Sequence, residues 1–279
     1  MMALSRSRDV KDANVAEPSN AVIRSVEIHP SGQLLLTAGL DKRVRFFQVD
    51  GVRNDKIQSI YLEDLPIHKA AFARGGSQVV ATGRRKHFYI LDLEAAKVER
   101  VQSLVGCSAK IATSGRDGIM QTWDTRTFKC LHTHQDEGTL TGTALAWSPT
   151  STHLATGSDS GVVNLYRQPS LFDNGGGGSM GGAVKRHRPS KAFMNLATQV
   201  DTLQFSPDGQ MLAMSSCRAK AALRVAHVPS QTVFENWPTS NTPLGHVQSI
   251  AFSPNGGLLA IGNARGRALL YRLHYYKGL

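Results

Sequence analysis

From about residue 21 to the C-terminus, apolar and polar residues alternate in short runs, and none sustains the period of a long helix. Runs such as Val247-x-Ser249-x-Ala251 and Val162-Val163-Asn164-Leu165-Tyr166 are rich in β-branched and aromatic residues, which suits half-buried strands. A turn phrase closes many of them. Ile28-His29-Pro30-Ser31-Gly32 returns as Trp147-Ser148-Pro149-Thr150, Phe205-Ser206-Pro207-Asp208-Gly209 and Phe252-Ser253-Pro254-Asn255-Gly256, with Phe72-Ala73-Arg74-Gly75-Gly76 as a degenerate copy. Proline presets the φ of the turn's second position, and glycine takes the positive φ that a β-carbon resists.

A second phrase follows each of these. Leu35-x-Thr37-Ala38-Gly39, Val80-Ala81-Thr82-Gly83, Ile111-Ala112-Thr113-Ser114-Gly115, Leu154-Ala155-Thr156-Gly157, Leu212-Ala213-Met214-Ser215-Ser216 and Leu259-Ala260-Ile261-Gly262 each lead into another strand. Their anchors, Gly39, Gly83, Gly115, Gly157, Ser216 and Gly262, are 44, 32, 42, 59 and 46 residues apart. A period of about 40–45 residues is that of a four-stranded propeller blade. One such sheet cannot bury both faces, and radial stacking buries them while leaving few edges open. The pattern predicts an all-β propeller over 21–279 with six recognisable blades, preceded by a disordered tail over 1–20. The long interval holds a Gly-rich basic stretch, 169–190, read as a flexible loop. The short one leaves only Val105–Ala109 between neighbouring strands, so the third repeat is expected to lack its first strand.

Composition narrows the function classes. No run reaches the roughly 18 apolar residues of a membrane span, and the first residues have no apolar signal core. The three cysteines, Cys107, Cys130 and Cys217, fit neither a disulfide framework nor a zinc knuckle. The expected compartment is therefore reducing, cytosol or nucleus. The formal net charge is +11, and residues 141–279 hold 12 basic against only 5 acidic side chains. Such a surplus favours polyanionic partners, nucleic acid first among them.

Catalytic patterns fail on inspection. Gly176-x-Gly178-x-x-Gly181 has the dinucleotide spacing but no surrounding βαβ unit. Gly157-Ser158-Asp159-Ser160-Gly161 puts Asp159 where a hydrolase elbow needs serine. His132 and His134 share a strand face near Asp136, yet no further ligands follow at metal spacing, and both read as solvated strand histidines. No catalytic residue, cofactor, metal or small-molecule substrate is predicted.

The charge has a location on the predicted fold. In a propeller all turns between second and third strands open on one side. Those turns carry Lys42 and Arg43, Arg84, Arg85 and Lys86, Arg116, Arg218 with Lys220, and Arg265 with Arg267, Asp159-Ser160 being the exception. The opposite turns hold one Arg and one Asp. This rim is the candidate surface for phosphate or an acidic protein segment. A second cluster, Lys185-Arg186-His187-Arg188, lies in the predicted loop. It reads as a nuclear-import signal, an RNA-contacting tail or a charge run on a linker.

The repeats resemble the WD-repeat family, most closely at Gly115-Arg116-Asp117-Gly118 before Trp123-Asp124, and at Gly245-His246. That resemblance implies that Ser114, Asp117 and Trp123 form a hydrogen-bonded network tying a blade together. More specific strings are similar to the U3 small nucleolar RNA-associated protein 18 family. They include Phe46-Phe47-Gln48-Val49-Asp50-Gly51, Lys56-Ile57-Gln58-Ser59-Ile60-Tyr61-Leu62-Glu63, Lys129-Cys130-Leu131 and Asp136-Glu137-Gly138-Thr139-Leu140. Ala192-Phe193-Met194-Asn195-Leu196 and the ending Gly266-Arg267-Ala268-Leu269-Leu270-Tyr271-Arg272-Leu273-His274-Tyr275-Tyr276 continue the likeness.

This second resemblance implies a non-enzymatic nucleolar scaffold of the small-subunit processome. Its implied partners are other processome proteins, including WD-repeat proteins, together with U3 small nucleolar RNA and pre-ribosomal RNA, touched directly or indirectly. It also implies seven blades, with a longer stretch between the second and third repeats than this chain has, and a longer N-terminal extension that recruits other factors. The alternative reading is a WD-repeat adaptor of the chromatin or ubiquitin-ligase type, and nucleolar localisation separates the two.

Overall fold

The computed structural model describes residues 4–5, 11–50, 53–85, 87–101, 110–114, 117–124, 130–167, 185–186, 188–239 and 242–273. After the two-residue strand β1 (Leu4–Ser5), the chain runs through β2 (Ile23–Ile28), β3 (Leu34–Gly39), β4 (Arg43–Gln48) and β5 (Lys56–Tyr61). These last four strands form one antiparallel sheet in chain order. A second sheet repeats the meander with β6 (Lys69–Ala73), β7 (Gln78–Thr82), β8 (Phe88–Asp92) and β9 (Lys97–Val101). The third holds β10 (Lys110–Ser114), β11 (Ile119–Asp124) and β12 (Cys130–Gln135). Next come β13 (Gly142–Trp147), β14 (His153–Ser158) and β15 (Val163–Arg167), followed by the short β16 (Lys185–Arg186) and β17 (Lys191–Phe193). The fifth sheet is β18 (Thr202–Phe205), β19 (Met211–Ser215), β20 (Leu223–His227) and β21 (Thr232–Val233). The sixth contains β22 (Val247–Phe252), β23 (Leu258–Asn263) and β24 (Ala268–Leu273). This is the WD-repeat β-propeller architecture that the repeats predict.

The chain divides into two compact units. The first comprises Met1–Leu104, Ala219–Ala222 and Phe234–Leu279, and the second Val105–Arg218 and Leu223–Val233. In the first unit β2 packs between β22 and β6, so the sixth, first and second blades stand side by side. Their apolar residues interleave. Ile23, Val26, Leu35 and Phe47 of the first blade meet Ala251, Ala260 and Leu270 of the sixth, while Leu36, Val44 and Phe46 meet Ala70, Val79 and Leu91 of the second. Phe47 is fully buried, and truncating such a side chain to alanine costs about 3–5 kcal/mol through lost transfer energy and the cavity left behind. In the second unit β13 packs between β10 and β18, and Met120, Leu154 and Tyr166 share a core with Trp147 and Leu145.

Two departures from a uniform repeat stand out. The second-strand phrase that fills the second position in the other five sheets falls in the third sheet on β10, and β10 is an edge strand paired only with β11 among the described residues. Within those residues the blade thus begins where its second strand belongs, as the short repeat interval predicts. Outside β12 the sheet adds a further strand, β16, which runs parallel to β12 with His134 opposite Lys185 and Gln135 opposite Arg186. Part of the stretch read as a flexible loop is therefore a sheet edge, while 168–184 and 187 lie outside the described residues.

The expectation of a disordered segment over 1–20 is corrected for its described part. Leu4 and Ser5 pair with Leu273 and Arg272, which makes β1 the outer strand of the sixth blade. Ala13 and Asn14 are buried. Asn14 donates from Nδ2 to the Gly266 carbonyl at 2.6 Å and accepts the Ala268 amide at Oδ1 at 2.9 Å. The polar groups of Asn14 are satisfied by backbone at the start of the last strand, some 250 residues away in sequence.

Candidate nucleic-acid interface

Turns between second and third strands at Gly161 and Gly266 are folded tightly against the connections between blades. Gly266 and Gly161 sit in such turns with φ of +74° and +89°, and a β-carbon there would strike the backbone oxygens of Ser19 and Leu196 respectively. A residue other than glycine would be strained at both positions by conformation and by contact. The neighbouring side chains are left to point outward.

Eight of the ten rim cations fall within the described residues, Lys86 and Arg116 lying outside them. Arg43, Arg84, Arg85, Arg218, Lys220, Arg265 and Arg267 are exposed or partly exposed, and Lys42 is half-buried. Lys42, at a positive φ of 61°, donates from Nζ to the Glu63 carbonyl at 2.7 Å, and the Arg43 guanidinium lies 5.5 Å from the centre of the Tyr61 ring. Asn263 Oδ1 accepts the amides of Arg265 and Arg267, each at 3.0 Å, which sets the turn that presents both. Arg218 makes a long 3.4 Å bond to Gln199.

Among the described residues, carboxylates are spent elsewhere. Arg45, only 5% exposed in its side chain, meets Asp41 at 2.5 Å and Glu17 at 3.1 Å, and Glu17 also pairs with Lys56. Arg100 lies 3.5 Å from Asp64. No rim cation has a carboxylate partner among these pairs. Arg45, Lys56 and Arg100 on strands have carboxylate partners and the described turn cations have none, and cations without such partners on turns of adjacent sheets suit a polyanion. Within the first unit the sixth, first and second blades are neighbours, and their turns between second and third strands carry Arg265, Arg267, Lys42, Arg43, Arg84 and Arg85. Arg218 belongs to the second unit, and Lys220 to the first. Of the basic loop, Lys185 and Arg186 form β16, and Arg188 is exposed.

Of the Ser114, Asp117 and Trp123 network that the WD resemblance implies, only Asp117 has a described side chain. Asp117 is exposed, and its Oδ1 caps its own turn by accepting the Ile119 amide at 3.1 Å. The side chains of Ser114 and Trp123 lie outside the described residues. The connecting network is centred on Asp136, which is buried and enters the fourth blade from the preceding connection. Thr156 Oγ1 and Asn164 Nδ2 donate to its carboxylate at 2.8 Å, and the Tyr166 hydroxyl does so at 2.5 Å. Burial first, then the bond to Asp136, pushes the Tyr166 phenol well above its ordinary range. His134 is buried as well, a correction to its reading as solvated. A signal for Asp136 existed in the conjunction of an acidic residue before one blade with Thr, Asn and Tyr on its second and third strands.

Among the described residues no group of three or more His, Cys, Asp or Glu side chains could hold a metal ion. No helix there is long and apolar enough to cross a membrane.

Comparison with known proteins places these features. Residues 14–48 and 128–167 match the WD domain, G-beta repeat model. The chain is 40% identical over 320 aligned residues to the U3 small nucleolar RNA-associated protein 18 homolog of Arabidopsis thaliana, an alignment covering 95% of this chain and 57% of that protein. The homolog from Homo sapiens is 36% identical, with 97% and 57% covered. The Saccharomyces cerevisiae U3 small nucleolar RNA-associated protein 18 is 29% identical, with 86% and 56% covered. The chain thus spans little more than half the length of these relatives. The 320 aligned positions also exceed what 95% of 279 residues can fill, so several tens of positions in the Arabidopsis protein face gaps here. Across nearly all of its own length, this chain is a WD-repeat homologue of the U3 small nucleolar RNA-associated protein 18 family.

Proposed function

We propose that this chain is a non-enzymatic WD-repeat scaffold of ribosome biogenesis. In this reading it acts with the U3 small nucleolar ribonucleoprotein in the small-subunit processome, and so in pre-rRNA processing and maturation of 18S rRNA. The observation that carries the reading is the similarity to proteins named for U3 small nucleolar RNA association, sustained over 95% of the chain. The carboxylate-free turn cations support it, because a polyanion is what such a surface attracts. Its partners are other processome proteins together with U3 small nucleolar RNA and pre-ribosomal RNA, and its place is the nucleolus.

The test is recovery of the tagged chain from growing cells with sequencing of the RNA that accompanies it. Enrichment of U3 small nucleolar RNA and 5′ pre-ribosomal RNA, with nucleolar fluorescence of the same tagged chain, is the expected result. A soluble, folded chain that enriches neither RNA overturns the reading and leaves an adaptor role elsewhere in the cell.

A further inference from the structure

The first strands of the first and second blades are locked in register. Ser25 Oγ donates to the Ala70 carbonyl and the Phe72 amide donates to Glu27 Oε2, both at 2.7 Å. This sets Arg24 on β2 level with His68 and Lys69 at the start of β6. The His68 amide donates to the Thr82 carbonyl at 2.8 Å, which brings the histidine beside the end of β7, two residues before Arg84. Arg24 donates from Nη1 to Gln248 Oε1 at 2.9 Å, and its Nε is buried without a hydrogen-bond partner. Neither Arg24 nor Arg84 has a carboxylate within ion-pair distance among the described residues, and no carboxylate pairs with His68. Glu27, the acidic residue of β2, is committed to the Phe72 amide. The surroundings hold the imidazole below its ordinary value, through burial first and then the positive charges of Arg84 and Arg24.

Two guanidinium groups without a counter-charge, one of them with an idle buried donor, beside an imidazole whose protonation they oppose, make a costly arrangement in an isolated protein. An anion offsets that cost. We propose that Arg24, His68 and Arg84 form a seat for one phosphate group of an RNA backbone. Two guanidinium groups supply the donors that phosphate oxygens accept most readily, and the histidine adds a ring N–H. The seat rests on the reading of the basic turns as an RNA-facing surface, and it names one contact within it. A bound phosphate adds negative charge between the cations, so it raises the proton affinity of His68.

The test uses the full chain, with the His68 imidazole followed by NMR and identified by its loss in His68→Gln. Inorganic phosphate and a short oligouridylate are the probes, and oligouridylate affinity is measured for Arg24→Gln and for Arg84→Gln. Arg84 lies in a surface turn, so its variant keeps the test open if Arg24→Gln fails to fold. The oligonucleotide is expected to raise the His68 pKa. Either substitution is expected to weaken binding about tenfold, the loss of one charge-assisted hydrogen bond, and to lower the salt-dependence slope by about 0.7. Oligonucleotide binding with unchanged affinity in both variants and an unmoved His68 overturns the seat but leaves the RNA-facing surface standing. A His68 response to inorganic phosphate alone makes it a site for free phosphate and overturns the RNA assignment. Failure of the unaltered chain to bind either probe removes both proposals.

Discussion

Asp136 is a buried carboxylate held by three neutral donors from two strands. Removing it orphans those donors inside the second unit, and unsatisfied buried groups cost more than the bonds themselves contribute. Asp136→Ala is therefore expected to lose about 3 kcal/mol, measured as a lower midpoint in thermal unfolding, with Asp136→Asn losing less because it still accepts at one oxygen. Tyr166 adds a pH signature. Its folded-state pKa is raised above the ordinary 10.0, so the folded chain holds the phenolic proton after the unfolded chain has released it. The resulting stabilisation is complete below pH 10 and declines as pH rises further. Tyr166→Phe is expected to be less stable at neutral pH yet to show a shallower loss of stability above pH 10. An equal slope in both proteins would remove the assignment. This network was only partly legible beforehand: Thr156 and Tyr166 sit in the repeat, but Asp136 joins them from the preceding connection, and the local phrase pointed instead to Asp117.

At the scale of elements, the blades were legible because each strand pair is encoded by nearby residues that recur with a period. The segment that precedes the first blade was not, since its meaning depends on distant acceptors. Asn14 bonds to Gly266 and Ala268 of the sixth blade, while Glu17 meets Arg45 and Lys56 of the first. It acts as a clasp within the first unit. The hydrogen bond from Lys56, ahead of the contribution of Arg45, holds the Glu17 carboxyl below its ordinary value of 4.5. Such a depressed folded-state pKa gives stability that is present above pH 4.5 and is lost as pH falls through the folded value. Glu17→Gln is expected to cost about 1 kcal/mol at pH 7, and progressively less as pH is lowered below 4.5, in denaturant unfolding followed across that range. The third sheet, which among the described residues starts at its second-strand phrase, makes a complementary prediction. Strand β10 bonds on one side only among the described residues, whereas β3, β7, β14, β19 and β23 are flanked on both. Hydrogen exchange over β10 should be faster than over those five strands, because a one-sided strand opens without disrupting a second ladder. Equal protection would mean that β10 has a partner strand.

On the scale of the whole molecule, the charge surplus is legible in composition, but composition does not say whether the cations are neutralised. That depends on which carboxylates reach which strands. Arg45, Lys56 and Arg100 are answered by Glu17, Asp41 and Asp64, whereas the arginines of the turns are not. The same formal charge of +11 could have been paired throughout, yet among the described residues the cations of these turns have no carboxylate partner. A polyanion bound there releases counterions in proportion to the phosphates neutralised, so affinity falls steeply with salt. Reversing Arg84, Arg85, Arg265 and Arg267 to glutamate changes surface turns only, and the fold should survive with a near-unchanged melting point. Binding to single-stranded RNA at about 50 mM salt should drop by at least roughly tenfold, and the slope of log affinity against log salt should flatten by about 0.7 for each phosphate no longer neutralised. In cells the same variant should leave the nucleolus and stop enriching U3 small nucleolar RNA. If RNA affinity and its salt slope stay as they were while the variant remains folded, the turn cations are ordinary solvated charges, and any RNA association of this chain passes through its protein partners.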